Sequence, residues 1–128
     1  MIVDTSAIFA VLFNEPDARR YATALQMAPR RRMSVANALE AFIVAESRGG
    51  AASGEDIDRF FQRFAIELEP VTTEQLIAAR RAWRRFGRGN HPAALNFGDC
   101  FAYALAETTG EKLLYKGGDF ARTDVKAA

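Results

Sequence analysis

Four carboxylic acids, Asp4, Glu40, Asp99 and Asp119, hold comparable places along a chain of 128 residues. Each stands just past a strand-like stretch or near the start of a helix-like one. Met1-Ile2-Val3 is short and apolar, as a strand covered on both faces of a parallel sheet should be, and it runs straight into Asp4-Thr5-Ser6. Ligand sites of open α/β sheets lie outside the carboxyl ends of the strands, where Asp4 falls. Carboxylates gathered there would repel and raise one another's pKa unless a cation joined them. The single histidine, His91, and single cysteine, Cys100, leave oxygen as the donor for any metal. Mg²⁺ suits such a set, with Mn²⁺ as its substitute, because both take octahedral oxygen ligands and keep several waters. An ion of this kind can lower the pKa of a bound water and orient it for in-line attack on a phosphodiester. No protein nucleophile is then required, and one histidine makes a Ser-His-Asp triad a poor reading.

Each acid also has a plainer reading. Asp, Thr and Ser are good helix N-caps, so Asp4-Thr5-Ser6 can simply open the helix that follows. Glu40 lies three or four residues from Ala36, Asn37, Ile43 and Val44, and a glutamate at such a boundary can reach water or an arginine. Asp99 sits in a first helical turn, where the helix dipole favours a negative charge and capping explains it equally well.

The elements that must position these acids follow from periodicity. Helix patterns run over residues 7–13, over 17–28 with Ala18, Tyr21, Ala22 and Leu25 on one face, and over 36–48 with Leu39, Phe42 and Ile43 expected inward. Gly49 to Gly54 reads as a flexible turn, with Ser53 capping the next helix. Ile57, Phe60, Phe61 and Phe64 then form one helical stripe, expected as core or subunit contact. Ile66 to Val71 alternates like a half-exposed strand. Thr72 and Gln75 match a capping box that opens a helix with Leu76, Ala79, Trp83 and Phe86 as its expected buried face. The other side of that helix is basic: Arg81, Arg84, Arg85 and Arg88, with Arg80 beside them, either meet a phosphate backbone or form a solvated face. Asn96 to Ala106 is a turn followed by a helix apolar nearly all round, and Lys112 to Tyr115 is a last strand. The alternation of strands with long helical connections makes this an α/β protein with a parallel sheet, in a single domain over residues 1–128.

Composition bounds the rest. A hydrophobic content of 49%, a charged content of 26% and a formal net charge of +1 describe a globular chain with no global pull toward nucleic acid or membrane. One cysteine fits a reducing compartment, and the lack of a leader or a long apolar run leads us to expect a cytoplasmic protein with no membrane segment.

Taken together, Met-Ile-Val-Asp4-Thr-Ser-Ala, the stretch from Ser34 through Glu40-Ala41, Asn96-Phe97-Gly98-Asp99-Cys100 and Leu114-Tyr115-Lys116-Gly117-Gly118-Asp119-Phe120 resemble a PIN-domain nuclease, and most of all the toxin ribonucleases of VapBC toxin–antitoxin pairs. The resemblance spans the chain. It implies a three-layer α/β/α sandwich with a central parallel sheet of four to five strands, and Mg²⁺-dependent endonucleolytic cleavage of RNA by activated water. It matches Asp4 and Asp99 to direct metal ligands and Glu40 to the third acid of the site. Many members carry a further acid where this chain has Gly117, which leaves Asp119 to take that role or only to shape the loop. The resemblance further implies a cognate antitoxin that masks the acids, and a homodimer, with Phe60, Phe61 and Phe64 offered to one of these contacts. Thr5 or Ser6 could hold a metal-bound water or a phosphate oxygen, and Lys116, in a glycine-rich loop, could touch the scissile phosphate.

Two readings of other classes stand beside this one. A receiver-like phosphoacceptor domain would also gather acids, Mg²⁺ and a lysine, but it needs an acceptor aspartate on its central strand, read here as ending Glu69-Pro70-Val71. A non-catalytic module would bind RNA through the arginine stripe without a divalent ion.

Overall fold

Ile2 and Val3 point to opposite sides of a sheet, and the two cores of the molecule follow from that alternation. In the computed structural model, which describes residues 1–128, β1 (Ile2–Val3) pairs in parallel with β2 (Arg31–Ser34) and β4 (Leu113–Leu114), and β2 pairs in parallel with β3 (Ile66–Glu69). The strand order is β3-β2-β1-β4. Ile2 lies opposite Leu113 and Val3 opposite Leu114. Ile2 and Leu113 join one core with α5 (Thr73–Phe86) and α6 (Phe97–Thr109). Val3, Met33 and Leu114 join the other, with α1 (Thr5–Leu12), α2 (Ala18–Met27), α3 (Val35–Gly49) and α4 (Ala51–Arg63). The result is a sheet with helices on both faces, as such short apolar strands require.

The outer edge of β4 is covered by the C-terminal tail: the Leu113 amide donates to the Lys126 carbonyl at 2.8 Å and the Ala128 amide to the Leu113 carbonyl at 3.0 Å. That single bridge protects the sheet edge without adding a fifth strand. No helix is long and apolar enough to cross a membrane.

Several expectations are corrected. The turn before α4 is Gly50 alone, at φ +70°, so Ser53 lies inside the helix and caps nothing. β3 stops at Glu69 and is an edge strand; the central strands β1 and β2 lead into Asp4 and Ser34. The lack of an aspartate after β3 therefore says nothing about a receiver-like site. On α3 the buried residues are Asn37, Ala38, Ala41 and Ala45, while Leu39 and Ile43 are exposed. On α5 they are Gln75, Ala78, Ala79, Ala82 and Phe86, with Leu76 and Trp83 outside. Both helices approach their neighbours closely through alanines, and the larger apolar side chains are displaced to the rims. The phenylalanine stripe is core. Phe60 and Phe64 are buried with ring centroids 4.6 Å apart, and half-buried Phe61 packs edge-on against Phe42. It is not a free contact surface.

Candidate active site

Asp4 leaves β1 with its amide donating to the Leu114 carbonyl at 2.9 Å, so the last bonds of the sheet aim its side chain past the carboxyl edge. It is also the N-cap of α1, with Oδ2 accepting from the Ser6 amide at 3.0 Å and from the Ser6 hydroxyl. Capping and site chemistry are thus compatible in one residue. Ser6 Oγ accepts in turn from the Lys116 amide at 2.9 Å, which ties the loop after β4 to Asp4. Asp4 is only 5% exposed and no cation sits beside it. Burial pushes its pKa up, the two bonds from Ser6 oppose this, and the charge of Glu40 adds to the rise.

Glu40 lies in the second turn of α3, and its Oε1 accepts from the Thr5 hydroxyl at 2.9 Å. Its carboxylate rests against the backbone of α6: a Cβ on Gly98 would stand 2.1 Å from Glu40 Oε2. Asn37 completes the junction. It is 1% exposed, and its Nδ2 donates to the Gly98 carbonyl at 2.8 Å while its Oδ1 has no partner. Neither Asn37 nor Gly98 stands out as a site residue by type. The available signal was an amide one turn before Glu40 on the same helix, and a glycine directly before Asp99.

Asp99 is the N3 residue of α6, locked in a capping box. Its amide donates to Asn96 Oδ1 at 2.9 Å, and its Oδ2 accepts from the Asn96 amide at 2.9 Å. Burial pushes its pKa up to about 6, against the bond from Asn96, and the charges of Asp4, Asp119 and Glu40 each add to the rise. Those acids lie 95, 20 and 59 positions away in sequence, so the fold has brought all four into one field. Asp119 is exposed, at the start of a short turn of 3₁₀ helix (Phe120–Arg122), and its side chain makes no hydrogen bond. Gly117 has φ +104°, a conformation that a side-chain-bearing residue adopts only under strain.

The donor set is all oxygen. No three acids close tightly enough to make a ready-formed cage. An oxygen donor set is the kind a hard cation takes, and such an ion can use only one or two carboxylates directly and keep its waters. The pKa values of Asp4 and Asp99 are raised chiefly by burial and further by the neighbouring carboxylates, and a bound cation would favour the charged form of both.

The basic candidates are placed differently from each other. Lys116 Nζ is held by Glu15 and Asp17, which push its pKa up to about 12, so its charge is engaged in the loop between α1 and α2. The arginine stripe divides. Arg81 pairs with Glu107 and Arg85 with Asp124, away from the acids. Arg84 makes no ion pair, and neither do Arg80 and Arg88, which border a groove beside Asn96.

A parallel α/β/α sandwich with acids converging at the carboxyl edge of β1 defines a class, and the comparisons agree with it. Residues 1–126 match the PIN domain family, and the chain belongs to that family, among its VapC members. It is 46% identical over 125 residues to Ribonuclease VapC30 of Mycobacterium tuberculosis, covering 98% of this chain and 95% of that one. It is 48% identical over 127 residues to Ribonuclease VapC of Mycolicibacterium smegmatis, covering 99% and 98%. Among solved structures, the fold resembles Mycobacterium tuberculosis VapC20, a toxin that cleaves the sarcin–ricin loop, with a TM-score of 0.78, 18% identity and coverage of 99% and 97%. It also resembles VapBC-1 of nontypeable Haemophilus influenzae, with a TM-score of 0.71, 19% identity and coverage of 99% and 95%. PIN-domain membership replaces the receiver-like reading.

Proposed function

We propose that this chain is a Mg²⁺-dependent endoribonuclease, the toxin of a toxin–antitoxin pair, with Mn²⁺ able to replace Mg²⁺. The observation that carries this reading is the meeting of Asp4, Glu40 and Asp99 across three elements, through the Thr5–Glu40 bond and the seat of Glu40 on Gly98. The names of the relatives, ribonucleases of VapC type, support RNA as substrate. The VapBC-1 fold match supports an antitoxin partner.

Asp4 and Asp99 would hold the ion, Asp4 by the oxygen that Ser6 leaves free and Asp99 by the one Asn96 leaves free. Bound there, a hard divalent cation supplies an acidified water and neutralises charge on the phosphate. Glu40, with Oε1 held by Thr5 and Oε2 against Gly98, would accept a proton from the attacking water. Asp119, unpartnered on its loop, is free to orient water or an ion from the other side. The two bonds from Ser6 oppose the rise that burial imposes on the Asp4 pKa, and the Thr5 hydroxyl fixes the direction of Glu40.

The test is cleavage of single-stranded RNA with Mg²⁺ or with chelator, by the purified chain and by Asp4→Asn and Asp99→Asn. Cleavage that needs the ion and vanishes in both folded variants is expected, together with inhibition by the co-expressed antitoxin. Undiminished cleavage by folded Asp4→Asn sinks the reading. RNA binding without turnover in any metal would leave the non-catalytic module in its place.

A further inference from the structure

Beside the acids, between α5 and the start of α6, lies a groove of about 530 Å³, within the range of about 300–1,000 Å³ that holds small ligands. Its walls are aromatic. Trp83 is 49% exposed and Phe97 81% exposed, and the Phe97 ring stands edge-on to Phe101 with centroids 4.9 Å apart. Solvent-exposed aromatic faces of this size need an explanation. A Cβ on Gly87 would lie 2.5 Å from Trp83 Cδ1 and 2.8 Å from its Nε1, so the glycine leaves room for that edge of the indole. Arg80 on α5 and Arg88 just past its end stand at the rim without an ion pair, whereas Arg81 and Arg85 on α5 are paired with acids. The backbone at Arg88 is anchored, because its amide donates to the Leu95 carbonyl at 3.0 Å.

One residue links the groove to the candidate active site. Asn96 lines it and is bonded in both directions to Asp99. A ligand that suits this surface offers a flat π face to Trp83 or Phe97 and a negative charge to the two unpaired guanidinium groups. A nucleotide of a single strand does both.

We infer that this groove is a nucleobase subsite, in which a base next to the scissile phosphate of single-stranded RNA stacks on Trp83 and Phe97 while Arg80 and Arg88 hold its flanking phosphates. This rests on the nuclease reading for its link to cleavage, but it makes a binding claim of its own. Stacking tolerates any base, so the subsite favours unpaired RNA over duplex without reading its sequence. The division of the arginine stripe then has a purpose: Arg81 and Arg85 brace the fold, and of the three without an ion pair Arg80 and Arg88 line the groove and remain for phosphate.

Trp83 is the only tryptophan, so its fluorescence reports directly on the groove. The experiment titrates the full chain, in chelator so that nothing is cleaved, with a single-stranded oligoribonucleotide of about ten nucleotides, within the usual site sizes. A saturable quench is expected, with much weaker binding and no quench for an abasic strand of equal length. Followed by anisotropy of labelled RNA, Trp83→Ala should weaken binding about five- to 150-fold, the span of one base stacked on one aromatic ring. Trp83→Phe should recover most of the loss, and Arg88→Glu should weaken binding and flatten its salt dependence. Circular dichroism confirms that each variant is folded. Equal binding and quench by the abasic strand overturns the subsite. So does a Trp83 signal that follows protein concentration and not RNA, with sedimentation showing self-association, since the face would then be covered by a second copy. Base-dependent quenching without Mg²⁺-dependent cleavage would keep the subsite and remove the nuclease. Cleavage without base-dependent quenching would do the reverse.

Discussion

The Glu40 carboxylate occupies the space that a side chain on Gly98 would need, with Oε2 only 2.1 Å from where that Cβ would stand. Because Gly98 directly precedes Asp99, this contact sets the distance between two acids that lie 59 positions apart in sequence. Gly98→Ala is therefore expected to push Glu40 off α6, at a cost of about 1–3 kcal/mol, as overpacking usually exacts. It should also lower metal-dependent cleavage more than it lowers stability. The check is a double-mutant cycle in urea. Glu40→Ala should relieve most of the cost of Gly98→Ala, and strictly additive effects would show that the two residues do not meet.

Asn37 provides the second support of the same junction, and its role is positional. Its Nδ2 donor to the Gly98 carbonyl is buried, so Asn37→Ala should remove that bond between α3 and α6 and destabilise the protein by about 0.5–1.5 kcal/mol. Asn37→Asp puts an acceptor where the donor was and adds charge to a crowded site, so it should be worse than Ala at neutral pH and recover in acid. If Asp and Ala behave alike across pH, the amide bond to Gly98 is not what matters.

That Asp4 and Asp99 would lie near one another was legible in sequence because each falls at a place the chain marks loudly. Asp4 follows an apolar strand too short to be anything else, and Asp99 follows an Asn-containing turn into an apolar helix. What the sequence hid was packing by small residues. Ala38, Ala41 and Ala45 on α3, and Ala78, Ala79 and Ala82 on α5, face inward because the neighbouring backbones come close, while a reading by hydrophobic size turns Leu39, Ile43, Leu76 and Trp83 to the core. Asn37 was missed for a related reason. A polar residue looks like surface until its partner, a carbonyl 61 positions away, is known. The split of the arginine stripe depends on Glu107 and Asp124, which no helical periodicity could pair with Arg81 and Arg85.

The raised pKa of Asp99 makes a prediction about stability and pH whose sign is opposite to the common case. Its carboxyl titrates near 6 in the folded chain against an ordinary 3.8. Between those values the folded state holds the proton and the unfolded state has released it. Stability from this group is therefore full below pH 3.8 and is lost as pH rises through about 6. Allowing for solvent screening at a partly exposed site, the loss is about 1–2 kcal/mol. Other carboxylates, such as Asp124 beside Tyr103 and Arg85, are held low and act in the opposite direction, so the total curve will not isolate the effect. The difference between wild type and Asp99→Asn in metal-free buffer will. The variant should gain on the wild type as pH rises from 4 to 6 and stay level above; a flat difference would mean that Asp99 is not under strain.

The same burial of charge, with the repulsion between the acids added to it, predicts how metal and mutation combine. Removing charge should make the apo protein more stable, so Asp4→Asn with Asp99→Asn is expected to melt above metal-free wild type at pH 7. A ligand that binds only the folded state stabilises by about 2.7 kcal/mol at a hundred times its dissociation constant, on the order of 10 °C for a domain of this size. Mn²⁺ should therefore raise the melting temperature of wild type by that order and leave the double variant where it was. Calorimetry with and without Mn²⁺ gives all four values. If the variant melts lower than the apo wild type, the acids are stabilising capping groups and nothing more. If Mn²⁺ raises both proteins equally, the ion binds elsewhere.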